Sequence, residues 1–299
     1  MRILVLCFLF FWVRSSLALE RFVWSPLESV VGKIKWHVVS ENETLLDIAR
    51  WYDLGYNQIV LANPEVDPWL PPVGQKVLIP ARYVLPRIKR GLVVNLAEMR
   101  LYFFRKEGGK DVVYTAPIGV GTEGKLTELG VYTVIRKKKD PVWHVPASIR
   151  EEDPSLPAAV PPGPENPLGR YALYLSRGAY AIHGTNKPWG IGRRVSHGCI
   201  RLYPEDIEAL YPLVPVGTPV FIIYQPYKLG ISGQKVYLQA FPDFEKKITN
   251  PFREIISLAN RLRKETYLRI IIFWPELKEI IKKPNGIPSL TGEAKEGMP

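Results

Sequence analysis

Residues 91–116 read GLVVNLAEMRLYFFRKEGGKDVVYTA, and the pattern in that stretch decides the fold class. Leu92-Val93-Val94-Asn95-Leu96, Arg100-Leu101-Tyr102-Phe103-Phe104 and Val112-Val113-Tyr114-Thr115-Ala116 are β-branched and aromatic runs of strand length. Glu98-Met99 and Gly108-Gly109 separate them, as expected of an antiparallel sheet. Working outward, Val131–Ile135, Tyr171–Leu175 and Pro219–Tyr224 add further strands. One helix is predicted over Pro204–Val214, with proline at its first position, Glu205 and Asp206 in its first turn, and Ile207, Leu210, Tyr211 and Val214 along one side. Residues 90–225 therefore read as a mainly β, antiparallel β-sandwich-like domain. Between Lys137 and Arg170 lie eight prolines. The Trp143-His144 pair within that stretch favours an ordered loop bordering a cleft over a disordered linker.

Upstream, residues 35–81 form a second and smaller pattern. Trp36–Val39 reads as a strand, and Thr44 with Asp47 has capping-box spacing ahead of Leu45, Ile48, Ala49 and Tyr52 on one helical face. Asn57 can cap a short second helix carrying Ile59, Val60 and Ala62, which Asn63-Pro64 stops. Gly74–Pro80 closes the unit with another strand, giving a βααβ order with a thin core and only a short linker before it. Downstream, residues 226–299 suggest an α/β extension. Its parts are a strand at Lys235–Ala240, a helical face traced by Ile248, Phe252, Ile255, Ile256, Ala259 and Leu262, an apolar run Tyr267–Trp274 that packs on the sheet, a helix from Pro275, and frayed last residues.

Composition is that of a globular protein: 299 residues, 46% hydrophobic and 23% charged, which excludes a disordered or fibrous chain. The formal charge of +11 favours an anionic partner. Nucleic acid is disfavoured, because basic residues never condense beyond Arg136-Lys137-Lys138-Lys139. Residues 1–18 carry Arg2, an apolar run Ile3–Val13, and small residues at Ser16 and Ala18, which reads as a signal peptide cleaved before Leu19. An uncleaved anchor is the alternative that Arg14 keeps open. Cleavage removes Cys7 and leaves Cys199 alone in an oxidising compartment, without an internal partner for a disulfide.

That cysteine lies in the stretch that carries the chemistry. Ala181-Ile182-His183-Gly184-Thr185 is followed by Val195-Ser196-His197-Gly198-Cys199-Ile200-Arg201-Leu202. An adjacent imidazole lowers a thiol's pKa or removes its proton, giving a thiolate that attacks carbonyls. Consecutive backbone amides in the Gly198-Cys199 turn could stabilise the oxyanion. Arg193, Arg194 and Arg201 could hold substrate carboxylates, and Trp189 could line the cleft. Three other readings fit the same residues: a buried core cysteine, a zinc site of His183, His197 and Cys199, or a histidine that merely holds the turn.

Two resemblances sharpen the picture. Trp36–Val39, Glu43-Thr44-Leu45, Asp47-Ile48-Ala49, Ala62-Asn63-Pro64 and Val73–Pro80 resemble a LysM module, which implies a glycan-binding βααβ unit acting on peptidoglycan. His183–Trp189 with Ser196–Arg201 resembles the L,D-transpeptidase (YkuD) catalytic domain. That likeness runs from about Gly91 to Tyr224 and includes Trp143–Ile149 and Asn166–Gly169. It implies Cys199 as nucleophile and His183 as general base. It also implies that the Gly184 carbonyl orients the imidazole, that the backbone around Ser196, His197, Gly198 and Cys199 forms an oxyanion hole, and that no metal or cofactor is needed. Together the two resemblances imply a periplasmic enzyme acting on peptidoglycan glycan strands and stem peptides, with a second stem, a wall-attached lipoprotein or water as acyl acceptor. Thr127-Glu128-Leu129-Gly130 lacks the proline usual in that family's turn. A non-catalytic wall-binding protein is the rival from another class.

Overall fold

The computed structural model describes residues 18–177 and 180–296, so most of the segment expected to be a signal peptide, residues 1–17 with Cys7, lies outside the described residues. Mainly β is the observed class. A nine-stranded sheet runs, edge to edge, Glu20–Val23, Lys110–Pro117, Arg100–Glu107, Gly91–Asn95, Pro219–Ile223, Gly130–Lys139, Tyr171–Leu175, Ala181–His183, Ile200–Arg201. Most of its ladders are antiparallel, as the 91–116 stretch predicts. Two are parallel: Pro219–Ile223 beside Gly91–Asn95, and Ala181–His183 beside Ile200–Arg201. A parallel pair needs a crossover rather than a hairpin. The sixteen-residue spacing of His183 and Cys199 is that crossover seen in sequence.

The central strands carry apolar residues at both odd and even positions because both faces of the sheet are covered. Leu92, Val94, Leu101 and Phe103 face one core, which they share with Ile207, Leu210 and Val214. Val93, Tyr102, Phe104 and Phe221 face the other, which continues into Leu45, Ile48, Leu54, Ile59, Val77 and Ile79 of the small unit. That unit has the expected order: Lys35–Val38, helix α1 (Leu45–Trp51), helix α2 (Tyr56–Ala62) and Lys76–Ile79. Its thin core is thus completed by the sheet it sits on. The capping box at Thr44 is formed in both directions. Asn57, by contrast, does not cap α2. The helix starts at Tyr56 after Gly55, without a side-chain cap. Its first amides are satisfied from the sheet domain instead, Tyr56 N–H donating to Ile191 O (3.1 Å) and Asn57 N–H to Gly192 O (3.3 Å).

The proline-rich segment is an ordered loop. It holds helix α3 (Ala147–Glu152) and a short pairing of Trp143-His144 with Ala159-Val160. The buried Asn166 amide donates to Pro141 O, Pro161 O and Val160 O, satisfying carbonyls that proline-rich chain cannot pair with itself. Helix α4 (Pro204–Leu213) then follows the last strand of the sheet directly.

One expectation near the N-terminus is corrected. Before Trp36 the chain is not a linker, because Glu20–Val23 adds an edge strand and Val30–Gly32 pairs with Arg82–Val84. Residues 289–296 form a strand inside the extension's own sheet, ordered Tyr227–Ser232, Lys235–Ala240, Ser289–Glu296, Leu268–Ile272, and the frayed end expected for the last residues, 297–299, lies outside the described residues. The strand's lysines and glutamates gave it a solvated look, but Thr291 and Ala294 point into a core with helices α5 (Pro251–Thr266) and α6 (Trp274–Lys282).

The extension is joined to the large sheet by a buried ion pair. Lys228 Nζ lies 2.5 Å from Glu98 Oε2 and 3.0 Å from the Tyr102 hydroxyl, and burial pushes the ammonium down to about 8. Removing one partner strands the other charge in the core. Lys228→Met is expected to lower unfolding stability by about 3–5 kcal/mol. A change below about 1 kcal/mol in urea unfolding would show that the pair does not join the two parts.

Candidate active site

The register of one parallel ladder assembles the site. Ile182 pairs with Ile200 and His183 with Arg201. Side chains alternate across a strand, so with Ile182 and Ile200 in the core, His183, Arg201 and the preceding Cys199 fall on the opposite face. There they line one cavity of about 620 Å³, together with Trp143 and Leu168 of the proline-rich segment and Trp189. Leu202 N–H donates to His183 O (2.8 Å), which continues the ladder past the site.

His183 is buried, and its Nδ1 lies 2.6 Å from Gly184 O. A carbonyl only accepts, so Nδ1 carries the hydrogen and Nε2 keeps a lone pair. Burial first, and then the Arg201 charge, push the imidazole down to about 4, against the opposing pull of the Gly184 and Leu168 carbonyls. Above that pH the ring is neutral. Cys199 is a half-buried reduced thiol. Burial pushes it up, opposed by a backbone hydrogen bond at Ala181 and by Arg201. Of the two expected routes, a lowered thiol pKa and removal of the proton by the imidazole, these shifts favour the second. The cavity holds a neutral imidazole and a protonated thiol, because burial disfavours both charged forms.

Arg201 is the cation nearest that pair. Its Nε has no hydrogen-bond partner among the described residues, and burial pushes the guanidinium down while the Cys199 sulfur favours its charge. An unsatisfied guanidinium at a cavity wall is suited to an anionic ligand.

The turn before Cys199 is built for one shape. Gly198 has φ +103°, and a Cβ there would lie 2.6 Å from the Tyr180 ring, so no other residue fits. The buried Ser196 hydroxyl donates to Cys199 O (2.6 Å) and accepts from Gly198 N–H (3.2 Å). That uses the Gly198 amide and removes it from the expected oxyanion donors. Thr127, which sequence reading marked only as a departure, donates from Oγ1 to Gly198 O (2.8 Å) and accepts from Gly121 N–H (3.1 Å). Its position 71 residues upstream hid that role.

His197, Arg193 and Trp189 also line the Cys199 cavity, whereas Arg194 does not. His197 is exposed, with Nε2 3.0 Å from Glu152 Oε2 on α3; Lys125 binds the same carboxylate. The ring thus anchors the loop and does not complete a Cys/His/His set. Among the described residues no three His, Cys, Asp or Glu gather to hold a metal. Arg194 is paired with Glu245 (2.8 Å), and the Arg193 guanidinium stacks on Tyr56 at 3.8 Å, with Trp69 at 5.5 Å. Neither is a solvated surface arginine, and neither is open to a substrate carboxylate without breaking those contacts. Trp189 is 57% exposed at the mouth.

Comparison with known proteins fits this geometry. The family model for the L,D-transpeptidase catalytic domain, YkuD, matches residues 89–222. The probable L,D-transpeptidase ErfK/SrfK of Salmonella typhimurium is 44% identical over 211 residues, covering 68% of this chain and 67% of its own. The probable L,D-transpeptidase YbiS of Escherichia coli is 45% identical over 207 residues, 67% of each chain. The probable ErfK/SrfK of Escherichia coli is 42% identical over 237 residues, 76% of each.

A raised thiol pKa has a direct chemical readout. Alkylation of Cys199 by iodoacetamide, followed by intact mass, is expected to be slow at pH 7 and to climb only above the ordinary thiol range near pH 8.5. A rate already at its plateau at pH 6 would mean that the cavity holds a stable thiolate.

Proposed function

Because this chain belongs to the YkuD family of L,D-transpeptidases, we propose that it is a cysteine acyltransferase of peptidoglycan, with Cys199 as nucleophile and His183 as base. The observation that carries the proposal is the shared face of His183 and Cys199, with the tautomer of His183 set by Gly184 O.

The donor is a tetrapeptide stem. Cys199 Sγ attacks the carbonyl at the L-centre of the third residue while its proton passes to His183 Nε2. The tetrahedral adduct then collapses, the C–N bond breaks, and the imidazolium returns that proton to the departing D-alanine amine. The thioester that remains is attacked by an amine, which loses a proton to the same ring; the C–S bond then breaks and the ring returns that proton to the Cys199 sulfur. Every bond exchanged is an acyl bond, so the cycle balances without an external energy source. A neutral pair suits this sequence: charge separation is deferred until the attack itself, when it is repaid by bond formation. The oxyanion then forms beside the Arg201 guanidinium and the turn's backbone amides other than that of Gly198. Arg201 also supplies the charge-assisted contact for a stem carboxylate.

The acceptor is a side-chain amine of a second stem, a lysine of a wall lipoprotein, or water, and muropeptide analysis of cells with and without the protein identifies it. The LysM-like unit over 35–81 would hold the glycan strand. The leader directs the chain to the periplasm, where this substrate lies. Cys199→Ala is expected to lower cross-linking by ~10³-fold or more while leaving sacculus binding intact; retained cross-linking would leave only a wall-binding protein. Arg201→Gln should raise KM about tenfold to a hundredfold, from the loss of roughly 1.5–3 kcal/mol of charge-assisted bonding.

The pH profile offers a separate check. A base must be unprotonated, and the His183 pKa is held at about 4 rather than 6.5, so activity is retained as pH falls through 6 and is lost around pH 4. An acid limb of kcat/KM near 6.5 would show that a different, solvated histidine does the work.

A further inference from the structure

A buried pair of carboxylates lies at the joint between the small unit and the large sheet, and the chemistry above does not use it. Asp206 is in the first turn of α4, and Asp53 follows the end of α1. They are 0% and 1% exposed and face each other. Burial holds both above the ordinary carboxylate range, with the Asp206 charge adding to it at Asp53 and the Glu205 charge at Asp206, while a hydrogen bond between the two carboxyls favours the ionised Asp206. Asp206 Oδ2 and Asp53 Oδ1 have no further partner among the described residues. The buried cation nearby, Arg100, spends its donors on neutral acceptors: Asp53 O (2.5 Å), Gln58 Oε1 (3.3 Å) and Thr115 Oγ1 (3.2 Å). Arg50, on the next turn of surface, is committed to Glu205. Arg100 favours both carboxylates by its charge, but neither guanidinium hydrogen-bonds to the carboxyl groups of the pair.

The backbone nitrogen of Leu19 supplies the position for a hydrogen-bonded cation. Leu19 is buried at the edge of the large core, and its N–H donates to Asp206 Oδ1 at 3.0 Å; the next amide, Glu20 N–H, reaches Asp53 Oδ2 at 3.3 Å. Ala18, one residue earlier, is exposed. The sequence places the signal cleavage at this bond, after Ser16-Leu17-Ala18.

We propose that cleavage of the Ala18–Leu19 bond creates a buried ion pair between the new Leu19 α-ammonium and the Asp206–Asp53 carboxylate pair, so that export completes the fold around the active site. The step is a hydrolysis by the exporting cell's processing peptidase. One C–N bond breaks, one water is consumed, Ala18 leaves as a carboxylate, and Leu19 keeps the nitrogen as an ammonium. A neutral amide donor with one hydrogen becomes a cation with three, directed at two carboxylates with unfilled oxygens. The effect is transmitted, because α4 follows Ile200–Arg201 after only two residues, and its neighbour Tyr203 donates to Leu54 O of the small unit (3.1 Å). The uncut chain has only a neutral amide donor at that position.

The test uses the exported protein and its variants. N-terminal sequencing of protein recovered from the periplasm should begin at Leu19. A retained leader or another first residue overturns this proposal and leaves the transpeptidase reading untouched, since that is judged by Cys199→Ala. The chain starting at Leu19 is then compared with one carrying a single glycine before Leu19. The glycine-extended chain should melt several degrees lower, and Asp206→Asn should abolish the difference. Acetic anhydride should acylate the α-amine of the folded mature chain at least tenfold more slowly than in urea. Equal melting of the two chains, or equal acylation in the folded and unfolded states, overturns the ion pair; the acylation result stands even if Asp206→Asn does not fold.

Discussion

One two-residue parallel ladder controls the site. Ile182 and Ile200 are driven into the core by their hydrophobicity, and because strand side chains alternate, that burial obliges His183, Cys199 and Arg201 to the other side. A slip of one residue in either strand would put an imidazole or a guanidinium into the main core and an isoleucine into the cavity. The chemistry is therefore held in register by apolar packing on the opposite face. The surrounding devices support that register: Ser196 bonds the backbone of the turn, Thr127 holds Gly198 O, and Asn166 shapes the loop that supplies the cavity wall.

The electrostatics follow from how dry that cavity is. Burial alone disfavours both the thiolate and the imidazolium, so neither is populated at rest. Arg201 acts in both directions: its charge lowers the imidazole further while favouring the sulfur anion. The result is a base that stays available across a wide acidic range and a sulfur that reacts when a carbonyl is in place to accept its electrons. A permanently ionised thiol in an oxidising compartment would be exposed to oxidation; a protonated one is less so. The arrangement trades intrinsic nucleophilicity for persistence.

What could be read from the sequence was whatever is encoded by short-range pattern. The strand runs of 91–116, the α1 capping box and the His183/Ser196–Arg201 blocks are local signals, and each falls where its pattern places it. What depends on distant neighbours was not legible. Asn57 is a good cap in isolation, but Ile191 and Gly192 offer α2 their carbonyls first, and a Cβ at Gly55 would stand 2.7 Å from the Gly192 Cα. Arg193 and Arg194 look like carboxylate holders until Tyr56 and Glu245 arrive from other parts of the chain. Residues 289–296 lack an apolar run because Ala294 is the residue of that strand that joins the extension's apolar core. The direction of the thiol pKa is illegible for the same reason: proximity to histidine is visible in sequence, whereas desolvation is a property of the assembled cavity.

These long-range contacts converge on one segment. Residues 190–194 give backbone acceptors to α2, stack Arg193 on Tyr56, pair Arg194 with Glu245 of the extension, and with Arg193 also line the cavity that contains Cys199. The small unit and the extension thus both touch the catalytic cavity's wall through consecutive residues, and neither can shift without moving it. Under the proposed glycan-holding role of the helical unit, a bound strand would be held at a defined place relative to the sulfur, and a stem peptide branching from it would reach the cavity with little freedom left to lose. Binding energy collected far from the carbonyl is in that way converted into orientation at it.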